Sequence, residues 1–220
     1  MDAGMSDRYE LVDPRPIAPS ARYTYFLPTA ERLEAIGPGD LVKVTMRAVP
    51  SSEKWDAERM WVQILSVETA WLEGTLESQP DDMPGVVKGI IVCLPRTYVM
   101  DIIFVDPERR ATIPPDPRRE FWERCLVDQA VLDGEIPVHY LYREEPNQTR
   151  DGDEFPDSGW RIRGDLRGVS AEQIAERQVA YVALGAVLNR DDSWLALIDE
   201  PAGSAYERDF DRGVFIRLGE

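Results

Sequence analysis

Alternating apolar and polar residues dominate the first half of the chain. A period of two predicts half-buried β-strands at residues 41–46, 60–65 and 71–76. Residues 89–94 form a short apolar run that predicts a further strand. Thr29 is a suitable N-cap for a helix that ends near Ala35. The pattern therefore predicts an antiparallel sheet with one or two helices.

The second half of the chain contains two clear alternating segments, residues 138–143 and 160–163. In the latter, alternation directs Trp160 and Ile162 to the core. It directs Arg161 and Arg163 outward, or toward acidic residues across the sheet.

Three further elements are predicted in this half. Ser170 and Gln173 have the spacing of a capping box and predict a helix that continues through Val187. Residues 194–198 are apolar on both faces, which indicates a central strand, and residues 213–218 would close the sheet.

Two proline-rich passages divide the chain. One lies at residues 13–19 and the other at residues 112–117, where several backbone donors are missing in succession. We therefore predict an α+β protein with two small domains, each a mainly antiparallel sheet with one or two helices. The predicted parts are an extended N-terminal arm (1–20), a strand-rich domain (21–111), a proline-rich linker (112–118) and a C-terminal α+β domain (119–220).

The charge of the chain limits its partners. There are 25 basic and 41 acidic residues, a formal net charge of −16. Such a charge repels phosphate backbones and anionic lipid, so we expect neither nucleic acid nor membrane as a partner. Residues 1–20 contain no apolar block of the kind a secretory signal needs, and we expect a cytoplasmic protein with Cys93 and Cys125 reduced.

Catalytic and metal-binding patterns are weak. His139 is the single histidine and lies in a strand pattern, which favours a structural role. The acidic loop 151–157 resembles a calcium loop in composition, but Phe155 and Pro156 stand where a ligand and a glycine are needed. A solvated loop is the favoured interpretation and a weak cation site the alternative. We predict no catalytic, cofactor or metal residues and no cofactor.

Three clusters of charged and aromatic residues lie at 142–146, 157–161 and 199–209. Their arginines suggest that part of the acidic charge is neutralised by ion pairs within the protein. Trp160, Trp194 and Tyr206 are most simply core residues. The alternative is a binding surface, with Trp160 or Tyr206 as an anchor. The candidate partner-binding residues are Glu144, Glu145, Asp157, Trp160, Arg161, Asp199, Glu200, Tyr206, Glu207 and Arg208.

These clusters, in this order and spacing, resemble a bacterial family that was first catalogued as a domain of unknown function and later proposed to be immunity proteins of polymorphic toxin systems. The resemblance covers roughly residues 125–216. Its carriers are the motifs YREEP (142–146), DSGWR (157–161), Gly164-Asp165 and GSAYER (203–208). The first segment is similar to a second uncharacterised bacterial family, through Glu58-Arg59-Met60-Trp61-Val62 and Gly74-Thr75-Leu76.

The resemblance implies a non-enzymatic, acidic protein-binding protein that neutralises a toxin by covering a basic surface. The partner would then be a protein, possibly a basic toxin domain. The alternatives are a housekeeping binding or scaffolding protein, or a hydrolase that uses an acidic cluster. The sequence predicts neither the identity of the partner nor the oligomeric state.

Overall fold

The computed structural model describes residues 5–6, 8–115, 118–170, 174 and 177–219. The chain forms two compact units. The first comprises Met1–Ser20 and Tyr25–Arg118, and the second comprises Ala21–Thr24 and Arg119–Glu220. Residues 21–24, which we assigned to the strand-rich domain, thus group with the second unit.

The first unit is built on one antiparallel sheet. Its strands are β1 (Met5–Ser6), β2 (Tyr9–Leu11), β3 (Leu41–Ala48), β4 (Glu58–Val67), β5 (Trp71–Leu76), β6 (Ile91–Pro95) and β7 (Asp101–Ile103). The order is β1-β2-β3-β4-β5-β6, and β7 pairs with β3 as well. The predicted arm (1–20) therefore contains two strands of the sheet, β1 and β2, and β2 pairs with β3.

Alternation along β3 explains its position in this sheet. Val42, Val44, Met46 and Ala48 are buried, and the residues between them are partly exposed. Helix α1 (Ala30–Glu34) begins after Thr29, whose side chain accepts a hydrogen bond from the Arg32 amide. Helix α2 (Pro107–Thr112) is capped in the same way by Asp106.

The second unit is a six-stranded sheet. Its strands are β8 (Arg124–Asp128), β9 (Val138–Arg143), β10 (Asp157–Gly164), β11 (Val179–Ala183), β12 (Ala205–Asp209) and β13 (Val214–Arg217). The order is β11-β8-β10-β9-β12-β13. Strands β8 and β10 are parallel, and the other neighbours are antiparallel. The α+β class and the mainly antiparallel sheets are confirmed.

One face of this sheet carries the core of the second unit. Helices α3 (Gln129–Leu132) and α4 (Leu184–Leu188) supply Val131, Leu184, Val187 and Leu188 to it. Trp160 and Trp194 are fully buried there, with their ring centroids 5.7 Å apart in an edge-to-face arrangement.

Two predicted elements of the second unit are wrong. Residues 179–183 are predicted as helix but form strand β11, which pairs with β8. Their side chains alternate as in a strand, since Ala180 and Val182 pack on the core and Tyr181 lies on the other face. The helix follows later, as α4. The capping box falls partly outside the described residues, since 171–173 are not among them.

Residues 194–198 do not form the predicted central strand. They contain a 3₁₀ turn at Leu195–Leu197. Asp191 accepts hydrogen bonds from the amide and hydroxyl of Ser193, which favours a turn at this point. Trp194 and Ile198 are both buried, at a spacing of four residues that places them on one side of a helical turn. The apolar run is therefore buried by a turn and not by a sheet.

Candidate functional site

The three motifs of the second unit meet because β9 lies between β10 and β12. In the register of these strands, Tyr142 is opposite Arg161 on one side and Ala205 on the other. Sequence-distant residues of the YREEP, DSGWR and GSAYER motifs therefore become neighbours. The sheet therefore brings the three motifs together in space.

Strand register separates the motif residues between two faces. Tyr206, Leu141, Ile162 and Val127 form one row across β12, β9, β10 and β8, and this row lies in the core. The adjacent row lies on the opposite side, which we call the open face. The open face carries Tyr140, Tyr142, Ala205, Glu207, Val214 and Ile216 beside the loop that follows Arg143.

Arg161 forms the centre of a buried ion-pair network. Its side chain is 1% exposed and that of Asp157 is 2% exposed. Nη1 and Nη2 of Arg161 donate to the two carboxylate oxygens of Asp157 at 3.0 and 2.8 Å. Nε donates to Oε1 of Glu144 at 2.5 Å, and the remaining donors reach Asn147 Oδ1 and Trp160 O. All five guanidinium donors are thus satisfied.

The environment of Asp157 favours its ionised form. Burial by itself would raise the pKa of this carboxyl. The ion pair with Arg161 and the backbone N–H groups of Gly159, Asn147 and Gln148 outweigh burial and lower the pKa from 3.8 to about 2. The hydrogen bond to Asp157 raises the pKa of Arg161 in turn. Both groups are charged at neutral pH.

Gly159 allows the two chain segments of this network to approach. Its φ is +83°, and an added Cβ would lie 2.1 Å from the backbone oxygen of Glu144. The Glu144 amide donates to Gly159 O at 3.0 Å. The glycine of DSGWR therefore positions Glu144 against Arg161.

The aromatic residues of the motifs are core residues. Trp160 is fully buried and donates its indole N–H to Ile198 O at 3.2 Å. Tyr206 is 4% exposed. Burial raises the pKa of the Tyr206 hydroxyl, as does its hydrogen bond with Glu200. Both rings thus lie in the core of the second unit, where they are shielded from solvent.

The other arginines of the motifs also act inside the unit. Arg143 donates to the carbonyl oxygens of Ser158 and Glu200 at 2.9 and 2.7 Å. Arg208 pairs with Asp191 at 2.9 Å, and its side chain is 18% exposed. Asp199 forms an exposed pair with Arg119 at 2.5 Å. Of the candidate residues, Glu145, Asp199 and Glu207 are exposed, and Glu207 lies 3.3 Å from His139 Nε2.

The open face contains residues outside the predicted partner-binding set. Tyr140 and Tyr142 are half-buried, and their ring centroids are 5.5 Å apart. Val214 and Ile216 are each 45% exposed on the edge strand β13. The alternation along β9 contained the signal, because it directs both tyrosines away from Leu141. A depression of about 540 Å³ lies beside the tyrosines, next to Glu144 and Glu145.

The acidic loop 151–157 has internal partners. Asp153 accepts two hydrogen bonds from Arg124 at 2.7 and 2.8 Å, and Asp157 pairs with Arg161. Among the described residues, no group of three His, Cys, Asp or Glu side chains is arranged to hold a metal ion. In the same part of the chain, no helix has the length and apolar character needed to cross a membrane.

The second unit is an α+β domain with a mixed sheet on which the three motifs are neighbours. Residues 125–218 match the model of the family described as Immunity protein Imm33 domain. This confirms the resemblance for the C-terminal part, and the match lies within the second unit. Neither the curated proteins nor the solved structures contain a match to this chain. An immunity-protein domain implies a toxin protein as its partner.

Proposed function

We propose that this protein is a non-enzymatic immunity protein whose second unit neutralises a toxin by binding it through the open face. The observation that carries the proposal is the open face itself, which lies within the family match. It presents two half-buried tyrosines and two exposed aliphatic side chains beside exposed carboxylates. Aromatic residues surrounded by polar groups are typical of protein–protein interfaces.

The acidic balance supports a basic partner. From Arg119 onward the sequence has 22 acidic and 12 basic residues. Many of these charges pair with each other, as in the Arg161 network. Glu145 and Glu207 remain exposed on or beside the open face. Their field would attract a cationic toxin surface and accelerate its association.

Binding needs no reaction and no cofactor. Exposed side chains of the open face would cover the toxin surface, while the buried network beneath keeps the face rigid. We propose a cytoplasmic location, where such a complex protects the producing cell. The partner, in this proposal, is a basic toxin domain.

The experiment is a neutralisation assay with candidate toxin domains from the source bacterium. Host cells that express the toxin should grow only when the protein is co-expressed. Glu207→Arg and Ile216→Arg should each weaken toxin binding at least about tenfold, a loss of about 1.4 kcal/mol or more. The association rate of the wild-type protein should fall steeply as salt is raised.

Glu135→Arg is the matched control. Glu135 is exposed in the same unit but lies in the loop between α3 and β9, outside the strands that form the open face. This variant should neutralise the toxin as the wild type does. Full neutralisation by both open-face variants, with folded protein, would refute the choice of surface. A wild-type protein that gives no protection would refute the immunity role.

A further inference from the structure

The depression on the open face has a definite structural origin. Tyr142 on β9 is opposite Ala205 on β12, so a large ring stands beside a methyl group. The turn before β12 contains Gly203, with φ +89° and no atom within 4 Å of an added Cβ. The two tyrosines form one side of the depression, and small residues leave its other side empty.

The chemistry of the depression is aromatic and anionic. The rings of Tyr140 and Tyr142 are tilted by 32° to each other. Glu145 is exposed at the rim, and the Glu144 side chain is 39% exposed although Oε1 bonds Arg161. Both carboxylate oxygens of Asp157 already accept hydrogen bonds from Arg161. The carboxylates of Glu144, Glu145 and Asp157 therefore outnumber the single guanidinium of Arg161.

Arg143 also lines the depression, but its guanidinium is bound within the unit. The Arg143 guanidinium donates to Ser158 O and Glu200 O and lies over the Trp160 ring in the core, 5.7 Å from the centroid. The carboxylates at the rim therefore keep an excess of negative charge toward solvent.

We propose that this depression receives one arginine side chain of the partner protein. The proposal rests on the function proposed above and specifies how the open face recognises its toxin. A planar guanidinium stacks on tyrosine rings and binds a carboxylate with two parallel hydrogen bonds. An ammonium group would interact with the same carboxylates as a point charge, without this stacking and bidentate geometry. The small residues opposite Tyr142 leave the space that the side chain occupies.

The test uses N-acetyl-arginine-amide as a probe and needs no toxin. In NMR titrations of the full chain, this probe should shift the ring signals of Tyr140 and Tyr142 with millimolar affinity. N-acetyl-citrulline-amide, a neutral molecule of nearly the same shape, should bind at least about tenfold more weakly. Equal binding of the two probes would overturn the proposal.

Two variants separate the shape of the depression from its charge. Ala205→Phe fills the space while it keeps the carboxylates, and Glu145→Gln removes a charge at an exposed position without changing the shape. Both should weaken probe binding, and Ala205→Phe should abolish it. Glu135→Gln should leave it unchanged. If Ala205→Phe binds the probe as tightly as the wild type, the depression is not the site.

The same variants distinguish this proposal from the proposed function. Ala205→Phe should weaken toxin binding at least about tenfold, because a buried anchor contributes a large part of interface energy. If the toxin binds this variant normally while Glu207→Arg disrupts binding, the arginine pocket is wrong and the open face stands. If the wild type gives no protection, only the immunity role is refuted. The arginine pocket is tested separately, because the probe binds the depression without any toxin.

Discussion

Removal of the Arg161 guanidinium should destabilise the second unit far more than removal of an exposed arginine. The perturbation is Arg161→Ala, which leaves the side chain of Asp157 buried without its ion-pair partner. Breaking a buried pair in this way costs about 3–5 kcal/mol. Asp157 keeps hydrogen bonds from the Gly159, Asn147 and Gln148 amides, so we expect about 3 kcal/mol, the lower end of that range.

The matched control is Arg119→Ala. Arg119 also pairs with an aspartate in the second unit, but its side chain is 54% exposed and that of Asp199 is 73% exposed. Because water solvates both groups, the loss should be at most about 1 kcal/mol. Both variants remove an arginine from an ion pair with an aspartate, and they differ in burial and in the additional bonds of Arg161 to Glu144, Asn147 and Trp160 O.

Native-state hydrogen exchange across a urea series measures the effect in the right part of the molecule. Amides of β10 report the unfolding free energy of the second unit separately from that of the first. A double variant that also carries Asp157→Asn should be less unstable than the sum of the single losses, because the two groups interact directly. Equal losses for Arg161→Ala and Arg119→Ala would refute the inference that the pair is shielded from water.

Two further predictions concern Gly159 and Asp157 of this network. Gly203→Ala, outside the network, is the control for the first and should cost about 1–2 kcal/mol through its positive φ alone. Gly159→Ala should cost clearly more in the same urea titration, because its Cβ would also collide with the Glu144 carbonyl. Because the pKa of Asp157 is lowered to about 2, its stabilising effect is present above pH 3.8 and is lost as the pH falls through about 2. The urea concentration at the midpoint of unfolding, followed by tryptophan fluorescence, should fall as the pH is lowered from 3.8 to about 2. The fall should be smaller in Asp157→Asn, which lacks the titrating carboxyl.

The sequence was sufficient for most strands because their signal is local. Strand β3 alternates over its whole length, and Trp160 and Ile162 pack in the core as their spacing predicted. Residues 179–183 were misassigned, because their apolar spacing fits either structure and the decisive pairing is with β8, more than 50 residues earlier. Residues 194–198 show the same ambiguity, since a short apolar run is buried equally well by a turn.

The candidate site was only partly predictable, and strand register is the reason. Alternation directs Arg161 away from the core, and this direction is correct. The residue is nevertheless buried, because the loop carrying Glu144 and Asn147 covers it through contacts that no local pattern specifies. Tyr142 belongs to the YREEP motif, but its place at the side of the depression depends on its neighbours Tyr140 and Ala205, which the motif does not specify.

Most motif residues maintain the framework and only a few lie at the surface. Asp157, Gly159, Trp160 and Arg161 hold strands and loops together, whereas Tyr142 faces outward. A family match carried by such residues is evidence for the fold of the second unit. It says less about which toxin is bound, because a binding preference has to come from side chains that reach the partner. Under the function proposed here, exchange of open-face residues should change the toxin recognised while the buried network keeps the sheet intact.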